Sequence, residues 1–164
     1  MYQDFYKRIS RPFRKSEKGP ALLAFADKAL VALTALGFAS IALWLALNAD
    51  TRLVRYLLVC AISFAMLTAL RATLNHPRPY EQYAIDPLIK KDTQGKSFPS
   101  RHLFSASVIS CAFLWLNPLA GICGFAVTAL LGAIRIVGGV HFPKDVAAGI
   151  AAGIICGFIG FWLI

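Results

Sequence analysis

Apolar residues dominate five stretches of this chain, at about 29–48, 53–74, 102–117, 119–137 and 146–164. Each approaches the roughly 20 residues a helix needs to cross the hydrocarbon of a bilayer. The pattern predicts an all-α, multi-pass membrane helical bundle of about five transmembrane helices. The third run is short and only Asn117 and Pro118 part it from the fourth. A long buried hairpin is therefore the alternative there, and two crossings are the preferred reading. Between the second and third runs, Asn75 to Phe98 is the one sizeable polar connection, with Pro77, Pro79, Pro87, Gly95 and mixed charges. Such a segment belongs at the membrane surface, as a lid or head-group loop over 75–98.

Ahead of the first run, Tyr2, Phe5, Tyr6, Ile9 and Phe13 recur at helical spacing opposite Lys7, Arg8, Arg11, Arg14 and Lys15. This predicts an amphipathic helix lying in an anionic interface and kinked near Pro12. A disordered basic tail that only sets orientation is the plainer alternative. The chain thus divides into a basic N-terminal segment, 1–19, and a membrane domain, 20–164. In the last run Gly149, Gly153 and Gly157 lie on one face and permit close helix approach. Packing within the chain is preferred for that stripe over a homodimer seam.

Composition adds to this picture in three ways. At 58% hydrophobic residues and a mean hydropathy of +0.63 over 164 residues, the chain holds one domain and is too apolar for an ordinary soluble core. Its net charge of +9, from 17 basic against 8 acidic residues, could point to nucleic acid. On a multi-span protein such an excess tracks orientation and anionic lipid instead, and no nucleic-acid partner is expected. Cys60, Cys111, Cys123 and Cys156 all fall in apolar runs without metal-ligand spacing, so neither zinc nor disulfides are indicated. The first 19 residues lack the order of a secretory signal.

The charged chemistry sits at the ends of the apolar runs, in Arg71 to Pro79, Pro99 to His102 and Arg135 to Asp145. Ionisable groups near the bilayer are costly and call for a reason. With five crossings, the connectivity places all three stretches on one membrane face. The face then carries Arg71, Arg78, Arg101, His102, Arg135, His141 and Asp145, a set that fits a phosphoryl group. Guanidinium forks match phosphate oxygens and stabilise charge in the transition state, which makes Arg71, Arg78 and Arg135 the clamp. Ser100 adds a hydroxyl, and the backbone N–H groups of Arg101 and His102 a helix N-terminus that attracts anions. His141 and Asp145, four apart, form the pairing that orients an imidazole as nucleophile or base. His102 remains to protonate the leaving oxygen. Each residue alone has a bland reading: snorkelling arginines, an interface histidine, a capping aspartate. Their joint spacing argues against it. His76 reads as a turn residue, Lys90, Lys91 and Lys96 as solvating the loop with contact to a lipid head group as the alternative, and Asp27 with Lys28 as an interfacial boundary pair.

These residues resemble the type 2 phosphatidic acid phosphatase family, which shares its site with vanadium haloperoxidases and bacterial acid phosphatases. The family's Lys-x6-Arg-Pro is matched by Arg71, Arg78 and Pro79. Its Pro-Ser-Gly-His is matched by Pro99, Ser100, Arg101 and His102, and its Ser-Arg-x5-His-x3-Asp by Ile134, Arg135, His141 and Asp145. The resemblance covers residues 71 to 145. It implies a metal-independent lipid phosphatase without cofactor, in which His141 forms a phosphohistidine, Asp145 orients it and His102 protonates the leaving group. It likewise implies that Arg71, Arg78, Ser100, Arg101 and Arg135 hold the phosphate.

Three positions depart from the family pattern. Arg71 stands for Lys, Arg101 for Gly and Ile134 for Ser. The first keeps the charge, the second adds a bulky cation suited to a more anionic substrate such as a diphosphate, and the third loses a hydroxyl. Membrane members commonly have six spans where five are read here, which puts the N-terminus on the same face as the site. Beyond the motif arginines that face carries six basic residues in the first 19, three in the loop, and Lys144, against Arg52 and Arg55 opposite. The positive-inside rule then favours a cytoplasmic site in a bacterial cell membrane. The expected function is removal of a terminal phosphate from phosphatidylglycerophosphate, phosphatidic acid or a polyprenyl phosphate or diphosphate. The rivals are a non-catalytic lipid-phosphate binder or transporter, which has no need of His102, His141 and Asp145 together, and a vanadate-dependent oxidase.

Overall fold

Proline and asparagine punctuate the chain where its helices start and stop. The computed structural model describes residues 1–164, and all of its regular elements are helices, with no strand. The elements are α1 (Tyr2–Arg14), α2 (Gly19–Leu47), α3 (Arg52–Leu74), the short α4 (Pro79–Gln82), α5 (Arg101–Leu116), α6 (Pro118–Val137) and α7 (Pro143–Phe158). A final turn, Ile159–Leu163, widens into a π-helix. Proline opens α2, α4, α6 and α7, where its missing N–H needs no partner. Asn75 ends α3 in the left-handed conformation, at φ 40°. Asn117 caps α6, its side-chain oxygen accepting from the Ala120 N–H at 3.0 Å.

Four of these helices are long and apolar enough to cross a membrane: α2, α3, α6, and α7 with its π turn. On α2 and α3 the side chains of Leu22, Phe25, Leu33, Leu36, Leu43, Val54, Leu58, Ile62 and Met66 are exposed, a continuous apolar surface suited to lipid. The chain is a multi-pass membrane protein. Helix α5, with 16 residues, spans only about 24 Å. It occupies the middle of the bundle, with Leu103, Phe104, Ala106, Ser107, Val108, Ser110, Cys111 and Ala112 buried. Central placement lets it carry serines. Ser110 donates to its own helix at the Ala106 carbonyl, 2.7 Å, and meets Thr128 of α6 at 3.2 Å.

The structure bears on three expectations. The glycine stripe of α7 is covered from within the chain. A Cβ at Gly149 would stand 2.6 Å from the Ser100 carbonyl oxygen, and one at Gly153 2.5 Å from that of Phe104. At Gly157 it would meet Cys111 Cβ at 2.6 Å. The stripe admits the backbone of α5, the packing within the chain that its spacing favours.

The N-terminal segment is a helix, and its aromatic face is turned onto the protein as well as the interface. The Tyr2 ring lies 4.8 Å from that of Phe142 and 5.0 Å from that of Tyr83. The Tyr6 hydroxyl accepts from the Leu88 N–H at 3.0 Å, and Arg14 pairs with Asp86 at 2.9 Å. Helix α1 therefore clasps the loop that follows α4, and the disordered-tail alternative does not describe it. Lys7, Arg8, Arg11 and Lys15 remain exposed. Finally, α2 begins at Gly19, ahead of the apolar run that starts near 29, so Asp27 lies inside a helix. It is 3% exposed.

Candidate active site

The C-terminal ends of α3 and α6 and the N-terminal ends of α5 and α7 meet at one end of the bundle, roofed by the 75–100 loop. They enclose a cavity of about 530 Å³. Its lining includes Arg71, Arg78, Lys91, Lys96, Arg101 and Arg135, together with His102 and His141, and holds no carboxylate. Two carboxylates stand directly behind it, Asp145 behind His141 and Asp27 behind Arg135. Such a lining draws an anion and repels a metal cation.

Six of the eight residues expected at the site line this cavity: His141, His102, Arg71, Arg78, Arg101 and Arg135. Asp145 backs His141. Ser100 differs, because its fully buried hydroxyl has no hydrogen-bond partner and does not line the cavity. Its backbone N–H donates to the Asp145 carbonyl at 2.9 Å, tying the start of α5 to α7 beside Gly149. The first N–H groups of α5, at Arg101 and His102, have no intrahelical acceptor, as at any helix start.

His141 sits between α6 and α7, 1% exposed. Its Nδ1 lies 3.6 Å from Asp145 Oδ2, beyond a good hydrogen bond, and the gap is bridged by Ser97. The Ser97 hydroxyl donates to Asp145 Oδ2 at 2.5 Å and places its oxygen 3.3 Å from His141 Nδ1. A hydroxyl has one proton, and here Asp145 takes it. The lone pair left facing His141 puts the imidazole proton on Nδ1 and leaves Nε2 with an unshared pair. The Phe142 N–H also donates to Asp145 Oδ2, at 3.1 Å, fixing the carboxylate at the start of α7. Burial holds the His141 imidazole neutral, pushing its pKa down to about 4, while Asp145 pulls the other way.

His102 has the opposite arrangement. Arg135 Nη1 lies 3.1 Å from its Nδ1, and a guanidinium can only donate. Nδ1 must accept, so the proton of the neutral ring sits on Nε2. The same guanidinium reaches Asp27 through Nη2, 3.0 Å from Oδ1 and 3.2 Å from Oδ2.

Arg71 and Arg78 are held by the loop. Arg71 Nη2 donates to the Lys96 carbonyl, and Arg78 Nε to the Gly95 carbonyl at 3.1 Å. Glu81 secures this turn by accepting from the N–H groups of Arg78, at 2.7 Å, and Gly95, at 2.9 Å. Gly95 has φ +61°, a conformation that favours glycine, and a Cβ there would press on Asn75 Oδ1 at 2.4 Å. Two buried donors, Arg71 Nε and Arg135 Nε, have no partner. Unpaired buried donors are costly, and both belong to arginines that line the cavity. Arg101, in the glycine position of its motif, is exposed and stands over the Phe64 ring at 5.7 Å. Ile134, in the serine position, packs with Leu23, Leu88, Ile89 and Val140.

Sequence reasoning passed over Ser97, Asp27 and Lys91. Lys91, read as a solvating loop residue, lines the cavity with Nζ 3.8 Å from Asp27. Burial, and then the charge of Arg135, lower its pKa. His76 is exposed, edge-on to Phe98, away from the cavity.

Beside the cavity an apolar groove begins. Val31, Ala35, Phe64, Ser105, Ile109 and Leu131 line it from α2, α3, α5 and α6, and Arg101 and His102 close its end. It shares Ala35, Phe64, Ser105 and Ile109 with a second apolar depression of about 520 Å³.

Residues 52–164 match the family model described as the PAP2 superfamily. Among curated proteins, an undecaprenyl-diphosphatase, BcrC of Bacillus subtilis, is 32% identical over 132 residues, covering 79% of this chain and 68% of that protein. A lipid A 1-phosphatase of Porphyromonas gingivalis is 32% identical over 88 residues, covering 50% of this chain. The matched segment spans only 19% of the Porphyromonas protein's length. Among solved structures, LpxE of Aquifex aeolicus superposes with a TM-score of 0.73 over 96% of this chain and 92% of that one, at 24% identity. That likeness is one of fold.

Proposed function

This chain belongs to the PAP2 superfamily, and from that membership we propose that it is an integral membrane lipid phosphatase that works through a phosphohistidine. The observation that carries the reading is the pairing of two oppositely protonated histidines in one cavity of cations. His141 offers an Nε2 lone pair, and His102 an Nε2–H.

The phosphate of the substrate sits among Arg71, Arg78 and Arg135, meeting the unpartnered Nε donors and the N–H groups at the start of α5. Its oxygens compete with His102 for Arg135 Nη1. Once that contact yields, His102 Nδ1 takes up a proton. His141 Nε2 then attacks phosphorus, the bond to the leaving oxygen breaks, and the His102 imidazolium gives that oxygen its Nε2 proton. Asp145 and Ser97 receive the positive charge that grows on His141. Water next attacks the phosphohistidine, His102 takes the proton from water, and phosphate leaves. No step needs a metal ion or cofactor.

The groove beside Arg101 and His102 supports a lipid whose tail stays in the bilayer. Phosphatidylglycerophosphate, phosphatidic acid and polyprenyl phosphates or diphosphates all offer that shape. The names of the relatives, an undecaprenyl-diphosphatase and a lipid A 1-phosphatase, favour lipid-linked phosphates and diphosphates. The site faces the cytoplasm of a bacterial cell, by the excess of basic residues on its side, and exposed Lys7, Arg8, Arg11 and Lys15 meet anionic lipid.

The test is phosphate release by the purified protein from these lipids in detergent with EDTA, beside His141→Ala. Release by the parent alone is expected. Saturable binding without release from any of them would favour the lipid-phosphate binder or transporter.

A further inference from the structure

A buried carboxylate in a membrane helix needs a partner and a purpose. Asp27 lies on α2, outside the residues that carry the phosphatase motifs, yet its closest ion pair is with Arg135. Arg135 is 2% exposed and distributes its guanidinium three ways: Nη2 to Asp27, Nη1 to His102, and Nε unpartnered. A planar fork held along one edge has its other directions fixed. Asp27 also faces Lys91 of the loop, so one carboxylate joins the first membrane helix to the phosphate clamp and to the roof of the cavity.

We propose that Asp27 is a positioning residue of the active site, which anchors Arg135 by Nη2 so that Nη1 sets the ring and tautomer of His102 and Nε stays free for phosphate. Without the anchor, the guanidinium no longer holds Nη1 against His102 Nδ1 before substrate binds, and the resting ring loses the donor that places its proton on Nε2 and aims it toward the leaving oxygen. The inference rests on the phosphatase reading for its kinetic consequence, while the histidine tautomer is a property of the resting protein.

Two measurements test it. The first is a double-mutant cycle on phosphate release, with Asp27→Asn and Arg135→Lys singly and together. Asp27→Asn keeps the shape and is expected to lower kcat about tenfold or more, with KM changing less than about threefold. If Asp27 acts through Arg135, its substitution adds little in the Arg135→Lys background. A purely structural Asp27 would give additive losses, or a kcat within about twofold of the parent, and either overturns the proposal. The second is ¹⁵N NMR of histidine-labelled protein in detergent, with His102 assigned through His102→Gln. Parent protein is expected to show His102 protonated at Nε2 alone, and Asp27→Asn a mixture of tautomers. Identical His102 resonances in both would overturn the proposal even if the parent released no phosphate. Failure of the parent to turn over would instead count against the phosphatase reading.

Discussion

The hydroxyl of Ser97 lies 2.5 Å from Asp145 Oδ2, a shorter contact than Asp145 makes with His141. Asp145 therefore reaches the His141 imidazole largely through a serine from the roof loop, whose own N–H is bound to the His76 carbonyl at 2.8 Å. Ser97→Ala leaves the carboxylate and the imidazole in place but removes the bridge. A hydrogen bond to a charged group contributes about 1.5–3 kcal/mol, and the lower end of that range corresponds to about tenfold in rate. We expect kcat to fall about tenfold with KM little changed. A kcat unaltered in Ser97→Ala would show that Asp145 orients His141 directly.

As the proposed nucleophile, His141 must be unprotonated, and burial keeps it so down to about pH 4. The acidic limb of kcat/KM, which reports the free enzyme, should accordingly fall near pH 4 rather than near the ordinary histidine value of about 6.5. Stability follows the same linkage. Unfolded chains take up the His141 proton near pH 6.5 and the folded chain resists it to about 4, so this residue's contribution is complete above about 6.5 and is lost as pH falls through that window. A pH–rate profile with an acidic limb near 6.5 would contradict the burial argument.

Arg135→Lys keeps a charge but not a fork. A lysine cannot reach Asp27, His102 and a phosphate oxygen at once. Orthovanadate, which mimics the pentacoordinate phosphorus, should inhibit the variant at least about tenfold less tightly, by the loss of one charge-assisted hydrogen bond. The inhibition constant of the parent and variant, measured side by side, checks this.

Arg101 is the exposed cation that this chain carries where the family has glycine, and it stands between the charged cavity and the apolar groove. A second phosphate on the way to a lipid tail would pass it. Arg101→Gly is expected to lower the preference for lipid diphosphates over monophosphates severalfold while leaving turnover of monophosphates within about threefold, since its backbone donor remains. Unchanged preference in competition assays would remove Arg101 from substrate choice.

Within the α7 stripe Gly153 comes closest to the backbone of α5, and the smallest side chain already collides there, 2.5 Å from the Phe104 carbonyl. Gly153→Ala should cost about 1–3 kcal/mol by overpacking, seen as a lower Tm in detergent without a change in oligomeric state. A shift in oligomeric state with Tm preserved would return the stripe to an interface between copies.

Much of this was legible from the chain because a bilayer leaves few options. Long apolar runs must be helices, and their connectivity forces Arg71, His102, Arg135 and His141 to one end. Pro118 and Pro143 mark helix starts in the sequence itself. What stayed hidden depends on partners far along the chain. Ser97 finds Asp145 across 48 residues, and Asp27 finds Arg135 across 108, and no local spacing announces either. Asp27 did carry a signal, since apolar residues flank it on both sides and a carboxylate inside such a run calls for a buried cation. It was masked by Lys28, exposed beside it, which made the two look like a boundary pair. The docking of α1 was hidden for a related reason, because Tyr2 and Tyr6 suit lipid or protein equally, and only the fold brings Tyr83, Leu88 and Phe142 to them.

The most direct test of the account is to trap the intermediate. Parent protein mixed with a ³²P-labelled lipid phosphate and quenched within one turnover should carry label that is lost in acid, survives alkali and maps by mass spectrometry to His141. Asp145→Asn should lower its yield, and His141→Ala should abolish it. Phosphate release at the parent's rate with no label on His141, or with turnover surviving in His141→Ala, would contradict the histidine mechanism.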